Sequence, residues 1–165
     1  MPYVHGFAPS DLPRTMPTDQ VALCCATAMR KASRRITQFY DDALAPSGLR
    51  STQYAILAEL VARTQCPPTL QELADALVLD RSALGHNLKP LERDGLIGQQ
   101  QSIEDRRRRL ITLSAEGLAT FEQARVLWKR AQDHFLDVFG ETQACELRQA
   151  LLAIAYDERL TSARP

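Results

Sequence analysis

Apolar side chains recur about every 3.6 residues along most of the chain, which is the period of an amphipathic α-helix. Four long segments share this pattern: residues 18–45, 52–63, 115–139 and 141–160. Pro46 and Gly48 follow the first segment, and Gly140 lies between the last two. Because proline and glycine interrupt helices, these residues mark predicted helix ends. Residues 1–17 contain four prolines, and we expect them to form an N-terminal arm.

The middle of the chain carries the start signals of two short helices. Thr69 and Glu72 have the spacing of a capping box, which predicts a helix over residues 70–77. Asp80 is a favourable N-cap for a further helix over residues 81–94. Two short helices joined by a tight turn are typical of a helix-turn-helix.

The second short helix has two different faces. Leu84, Leu88 and Leu91 recur at helical spacing, and we expect them to pack inward. The opposite face is polar, as in the recognition helix of a DNA-binding protein. Its predicted DNA contacts are Arg81, Ser82, Gly85, His86, Asn87 and Lys89. The alternative is an ordinary amphipathic helix with a solvated face, and we interpret Pro90, inside this helix, as a tolerated kink.

A basic hairpin is predicted directly after the helix-turn-helix. Residues 96–113 combine a polar stretch, a charged tip and β-branched side chains, which indicates a two-stranded wing. The chain has zero formal net charge, but between Arg81 and Leu110 seven lysines and arginines outnumber four acids. Such a patch favours phosphate binding, with a solvated charged loop as the alternative. The predicted wing contacts are Asp105, which would orient an arginine, and Arg106, Arg107 and Arg108.

These features resemble the MarR family of bacterial transcriptional regulators. The resemblance lies in residues 49–57, 70–74, 79–82, 91–97, 104–107, 110–114 and Gly117. It implies a mainly α-helical homodimer whose single domain spans residues 18–165. Within that domain, the resemblance implies a winged helix-turn-helix over 51–113 and dimerisation helices over 18–45 and 115–160.

The same resemblance implies how the chain meets DNA. A recognition helix would enter the major groove, with Gly85 and His86 where family members contact bases, and a wing would meet the minor groove. Asp105 and Arg107 correspond to the wing acid and the minor-groove arginine. Gly85 and Pro90 depart from the family's pattern. The resemblance further implies a repressor that binds a pseudo-palindromic operator and is released by a small-molecule or oxidative signal.

Two kinds of signal remain open at the level of sequence. Cys24 and Cys25 lie near the region where one branch of the family senses organic hydroperoxides. Because both fall on an apolar stripe, we expect buried structural thiols, with a redox sensor as the alternative. Four aromatic residues are predicted to line a cleft for a small aromatic ligand, or else to pack in the core: Phe39, Tyr40, Tyr54 and Trp128.

Other function classes are disfavoured by what the sequence contains. The four cysteines and three histidines match no zinc spacing, and no phosphate-binding loop or catalytic constellation is recognisable, so we expect no metal, cofactor or enzymatic activity. No apolar run is long enough for a membrane helix and no secretory signal is present, which predicts a cytoplasmic protein without a membrane partner. The competing interpretation is a helical dimeric protein-interaction module that does not bind specific DNA.

Overall fold

The computed structural model describes residues 24–102, 105 and 107–161, and within these it is mainly helical with one two-stranded sheet. The predicted N-terminal arm and the predicted first residues of the first helix, 18–23, lie outside the described residues. The elements in chain order are α1 (Cys25–Leu44), a 3₁₀ turn (Ala45–Ser47), α2 (Ser51–Ala62), α3 (Leu70–Ala76), α4 (Arg81–Arg93), β1 (Ile97–Gln101), β2 (Arg109–Leu113), α5 (Ala115–Phe139), α6 (Glu141–Ala155) and α7 (Glu158–Thr161).

The hydrophobic core lies in the lobe formed by α2, α3, α4 and the two strands, and the end of α1 and part of α5 close it. Its most deeply buried large side chains are Leu44, Ile56, Leu57, Leu73, Leu84 and Leu91. Each such side chain contributes about 1.5–3 kcal/mol relative to an exposed position. This core therefore fixes how α3, α4 and the strands sit against one another.

Side-chain caps define where the short helices and α5 begin. The Thr69 hydroxyl accepts the N–H of Glu72, and the Glu72 carboxylate accepts the N–H of Thr69 at 2.7 Å. Asp80 accepts the N–H of Ala83 at 2.8 Å and starts α4. Ser114 accepts the N–H of Gly117 at 2.9 Å and starts α5. Each cap satisfies a backbone donor that the first helical turn leaves unpaired.

The two strands form the predicted hairpin and also contact the segment before α3. They are antiparallel, with Ile97 opposite Leu113 and Gln101 opposite Arg109. The N–H of Ile111 donates to the carbonyl of Pro68 at 2.8 Å. The sheet is therefore attached to the helix-turn-helix through its backbone as well as through buried side chains.

The prediction of one continuous last helix over residues 141–160 is wrong. The helix α6 ends at Ala155, and α7 starts at Glu158. The Asp157 carboxylate accepts the N–H of Arg159 at 3.0 Å, and an aspartate that bonds local backbone in this way competes with the helical hydrogen bonds. Among the described residues, no helix is long and apolar enough to span a membrane.

Candidate nucleic-acid interface

The helix α4 presents one buried and one exposed face. Leu84, Leu88 and Leu91 are buried in the core, which fixes the rotation of the helix about its axis. Ser82, His86 and Lys89 are exposed and Gly85 is half-buried on the other side. This is the separation of faces that the sequence predicts. The outward face offers a hydroxyl, an imidazole and an ammonium group, all of which can bond base edges or phosphates.

Two of the residues predicted to contact DNA from α4 make contacts within the protein. The Arg81 guanidinium donates from Nε to Oε1 of Gln71, a residue of α3. Nδ2 of Asn87 donates to the carbonyl of Ala83, one turn earlier in α4, at 2.8 Å. Arg81 is nevertheless exposed, whereas Asn87 is half-buried and has its amide turned back on its own helix.

The helix α4 continues through Pro90 to Arg93. The carbonyl of Pro90 accepts the N–H of Asp94 at 3.0 Å, so the last turn is still helical. Proline lacks an N–H, which deprives the carbonyl one turn earlier of its usual donor. Because only three residues follow, the disturbance stays close to the end of the helix.

Hydrogen bonds among the described residues between the two strands, Ser102, Asp105, Arg107 and Arg108, shape the tip of the wing. The N–H of Ser102 donates to the carbonyl of Arg108 at 2.9 Å, and the N–H of Arg108 donates to the carbonyl of Asp105 at 2.9 Å. The Asp105 carboxylate accepts the backbone N–H of Arg107 at 2.9 Å. Asp105 thus orients Arg107 through its backbone rather than its guanidinium, as aspartates do in turns. Arg106 lies outside the described residues.

The side chains of Arg107 and Arg108 differ in what they contact. Arg107 is exposed at the tip. Arg108 donates from Nη2 to Oε1 of Glu72 at 2.7 Å, so it turns toward α3. The hydrogen bonds from Thr69 hold the pKa of the Glu72 carboxyl below its ordinary value, and the charge of Arg108 adds to the effect. Sequence reasoning missed this pair, although the capping box had already identified Glu72 as an anchored carboxylate.

A cavity of about 490 Å³ lies between α1, α2 and α5. It is lined by three of the four residues predicted to form the ligand cleft: Tyr40, Tyr54 and Trp128. The Tyr54 ring stacks on the Trp128 ring with centroids 5.8 Å apart. Burial raises the pKa of both Tyr40 and Tyr54 above the ordinary value. Phe39 does not line this cavity. It packs edge-on against the ring of Tyr40 and at a tilt of 32° against the ring of His134.

The expectation that Cys24 and Cys25 are buried is wrong for the single chain. Cys24 is the N-cap of α1 and Cys25 its first residue, and both are exposed. The other described residues do not cover the apolar stripe of α1 at this end. Hydrogen bonds from Thr27 and the N–H of Ala26, with the nearby charge of Arg30, hold the pKa of the Cys24 thiol below its ordinary value. That environment favours the reactive thiolate.

Within the part of the chain that the structure describes, the terminal helices leave a large apolar surface uncovered. A groove of about 640 Å³ lies between α1, α5 and α6. The exposed large apolar side chains of α6 and of the residues after it are Leu147, Leu151, Leu152, Ile154, Tyr156 and Leu160. Contiguous apolar surface of this kind marks an interaction site in a soluble domain.

Several known proteins share this architecture or parts of this sequence. The model of the MarR family matches residues 49–108. The transcriptional regulator MosR of M. tuberculosis, solved in complex with DNA, superposes with a TM-score of 0.74 and 30% identity, covering 84% of this chain and 98% of that one. CouR, a transcriptional repressor bound to a 23-mer DNA duplex, gives a TM-score of 0.75 and 26% identity, covering 84% of this chain and 97% of that one; CouR comes from Rhodococcus jostii RHA1.

A relative in Bacillus subtilis adds a match in sequence. The organic hydroperoxide resistance transcriptional regulator is 33% identical over 93 residues, which are 56% of this chain and 62% of that protein. The family model covers the helix-turn-helix and most of the wing, and the match to MosR extends over nearly the whole of that chain. The chain therefore belongs to the MarR family and is a DNA-binding transcriptional regulator rather than an enzyme.

Proposed function

We propose that the chain is a repressor that binds a pseudo-palindromic operator as a homodimer. The observation that carries the proposal is the position of α4, whose buried leucines fix an outward polar face directly beside a basic wing. In this arrangement α4 enters the major groove and the wing tip approaches the minor groove. The relatives solved with DNA, one of them described as a repressor, support this assignment.

The proposed DNA contacts differ in what they can read. Ser82, His86 and Lys89 face outward and suit base edges or phosphates, while Gly85 lets the duplex approach the backbone. The further proposed contacts are Arg81 and Asn87 on α4 and Asp105, Arg106 and Arg107 on the wing. Arg108, the remaining wing arginine that the sequence predicts to contact DNA, pairs with Glu72. Arg107 is the best placed of the described wing residues, because its side chain is exposed and its backbone is fixed by Asp105.

The homodimer is supported by the uncovered apolar surface of the terminal helices. Leu147, Leu151 and Leu152 are exposed and line the groove between α1, α5 and α6. A second copy of the same surface would cover them, as a two-fold interface requires. Two recognition helices related by that axis would contact half-sites about 10 base pairs apart.

Release from DNA is proposed through one of two inputs. The first is oxidation at Cys24 or Cys25, supported by their exposure, by the lowered pKa of Cys24, and by the likeness to a hydroperoxide-resistance regulator. The second is a small aromatic ligand in the cavity lined by Tyr40, Tyr54 and Trp128. That cavity borders α1 and α2, so an occupant would act between the terminal helices and the DNA-binding lobe.

Charge reversal at the wing tests the DNA-binding surface. We expect Arg107→Glu to weaken binding to an operator fragment by at least about tenfold, because it removes one phosphate contact and adds one repulsive charge in each wing of the dimer. Arg125→Glu is the matched control, since Arg125 is an exposed arginine on α5. Fluorescence anisotropy would measure binding and sedimentation would measure dimerisation. If Arg107→Glu binds as tightly as the control, the proposed wing contact is wrong. A dimer that binds no duplex would favour the interaction-module alternative.

The two inputs are separated by a second experiment. Under the oxidative input, an organic hydroperoxide releases the wild-type protein from DNA but not the variant with Cys24→Ser and Cys25→Ser. Under the ligand input, peroxide has no effect on either protein, and a small phenolic probe releases the wild type but not Trp128→Ala. Peroxide release that survives both serine substitutions would exclude these thiols as the sensor.

A further inference from the structure

One wing arginine is tied to the helix-turn-helix instead of pointing away from it. Arg108, which directly precedes the returning strand, donates to Oε1 of Glu72 at 2.7 Å across 36 positions of sequence. Both side chains are about half exposed. The pair therefore connects the base of the wing tip to the first turn of α3.

The Glu72 carboxylate uses its two oxygens for different contacts. Oε2 accepts the N–H of Thr69 at 2.7 Å and its hydroxyl at 2.9 Å, which completes the cap of α3. Oε1 accepts the guanidinium of Arg108. Because the cap already fixes the carboxylate, little side-chain freedom is lost in holding the arginine.

Backbone contacts reinforce the same junction. The residues before α3 and the strand β2 form an isolated antiparallel bridge between Thr69 and Leu110. The N–H of Ile111 donates to the carbonyl of Pro68 beside that bridge. Arg108 lies on the side of this bridge nearer the wing tip. Its ion pair therefore attaches to α3 a part of the wing that these backbone contacts do not reach.

We propose that Arg108 is a positioning residue, which sets the angle of the wing through Glu72, and that it does not itself neutralise a phosphate. The proposal rests on the DNA-binding function proposed above. It assigns different roles to two neighbouring arginines: Arg107 contacts DNA, and Arg108 fixes where Arg107 is presented.

The two roles for Arg108 predict opposite effects of Glu72→Gln. Glutamine keeps the cap of α3, since its amide oxygen can still accept the N–H of Thr69, but it loses the ion pair. If Arg108 were a phosphate contact, removing a nearby negative charge and releasing the arginine would tighten DNA binding. If Arg108 positions the wing, the same change weakens DNA binding although the surface becomes more positive.

The test measures operator affinity against salt concentration for the full-length chain and its variants. We expect Glu72→Gln and Arg108→Gln each to weaken DNA binding about three- to tenfold. This is the loss of affinity expected when one half-exposed ion pair is removed in each of the two wings. We expect the double variant to be no weaker than either single one, because the two groups act as a unit. Arg108→Lys should bind nearly as the wild type, since one donor suffices for the observed contact.

The salt slope separates positioning from direct binding of phosphate. An arginine that neutralises one phosphate adds about 0.9 to the slope of log affinity against log salt. Because the dimer carries two wings, its substitution by a neutral residue reduces the slope by about 1.8. We expect that reduction for Arg107→Gln and no reduction for Arg108→Gln. Operator binding by Glu72→Gln at or above the wild-type affinity would overturn the proposal, as would a slope for Arg108→Gln that falls as far as that of Arg107→Gln.

Hydrogen exchange in the DNA-free protein provides an independent readout. We expect amide exchange in residues 108–111 to rise roughly threefold in Glu72→Gln and to stay unchanged in Glu122→Gln, which breaks an ion pair of 2.8 Å on α5. Unchanged exchange in Glu72→Gln would show that the pair does not hold the wing. Wild-type protein that binds no duplex would overturn the proposed function, while the exchange result would still decide whether the pair fixes the wing.

Discussion

Replacing Gly85 by alanine should affect folding stability and DNA binding in opposite directions. Gly85 lies inside α4, and a Cβ built on it meets no heavy atom within 4 Å. Alanine in a helix interior is favoured over glycine by about 0.5–1 kcal/mol, and no described neighbour opposes it here. For a chain of this size, that gain corresponds to a Tm rise of about 1–4 °C.

The same methyl group lies on the face of α4 proposed to meet DNA. If the duplex approaches the backbone at Gly85, the added Cβ keeps it away and disturbs the neighbouring contacts of His86 and Lys89. A weakening of about five- to a hundredfold is expected, corresponding to the ~1–3 kcal/mol cost of one unfavourable base-pair contact. Thermal melting followed by circular dichroism measures the first effect, and anisotropy titration of an operator duplex measures the second.

Gly117→Ala is the matched control for the stability effect. A Cβ at Gly117 would lie 2.0 Å from the carbonyl oxygen of Leu96 and 2.9 Å from a methyl of Leu113. Backbone must shift to relieve the first contact, so we expect a loss of about 1–3 kcal/mol despite the gain in helix propensity. A lower Tm for Gly85→Ala would refute the packing argument. Operator binding by Gly85→Ala at the wild-type affinity would refute the proposed close approach of the duplex to the backbone at Gly85.

Three further experiments test the proposed dimer surface, the reactivity of the Cys24 thiol and the packing of the cavity. Leu151→Asp should raise the dimer dissociation constant at least about tenfold in sedimentation, because it places a charge in the apolar groove; an unchanged constant would exclude this surface. The rate of Cys24 alkylation should reach half its maximum at a pH below the ordinary thiol value of about 8.5, since the pKa of Cys24 is lowered; mass spectrometry resolves it, and a midpoint at or above the ordinary value would contradict the hydrogen bonding described. Trp128→Ala should cost about 1–3 kcal/mol in chemical unfolding, because it removes the ring stacked on Tyr54; a smaller loss would mean that the stack contributes little to stability.

Local signals predict the DNA-binding lobe well. The caps at Thr69 and Asp80 each depend on residues within three positions, and both form the predicted contacts. The leucines at 84, 88 and 91 depend only on helical periodicity, which burial in the core confirms. A capping residue acts within one turn of helix and an apolar period within a few turns. The sequence alone therefore contains the information needed to predict these helix starts and buried faces.

Contacts between distant segments are what sequence reasoning misses. Arg108 belongs to a run of four arginines, and nothing in that run indicates that one of them pairs with Glu72 on α3. Phe39 lies one position from Tyr40, yet only Tyr40 lines the cavity, because neighbouring helical residues point about 100° apart. Cys24 lies on an apolar stripe, but periodicity cannot say whether the chain itself or a second copy covers that stripe.

Binding of the purified protein to DNA from upstream of its own gene tests the proposed regulatory function most directly. Fluorescence anisotropy would compare that fragment with a scrambled duplex of the same length at two salt concentrations. A specific regulator of this design should prefer the native fragment by roughly a thousandfold or more. Equal and strongly salt-dependent affinity for both duplexes, or no binding to either at low salt, would contradict the proposal that α4 and the wing read a specific operator.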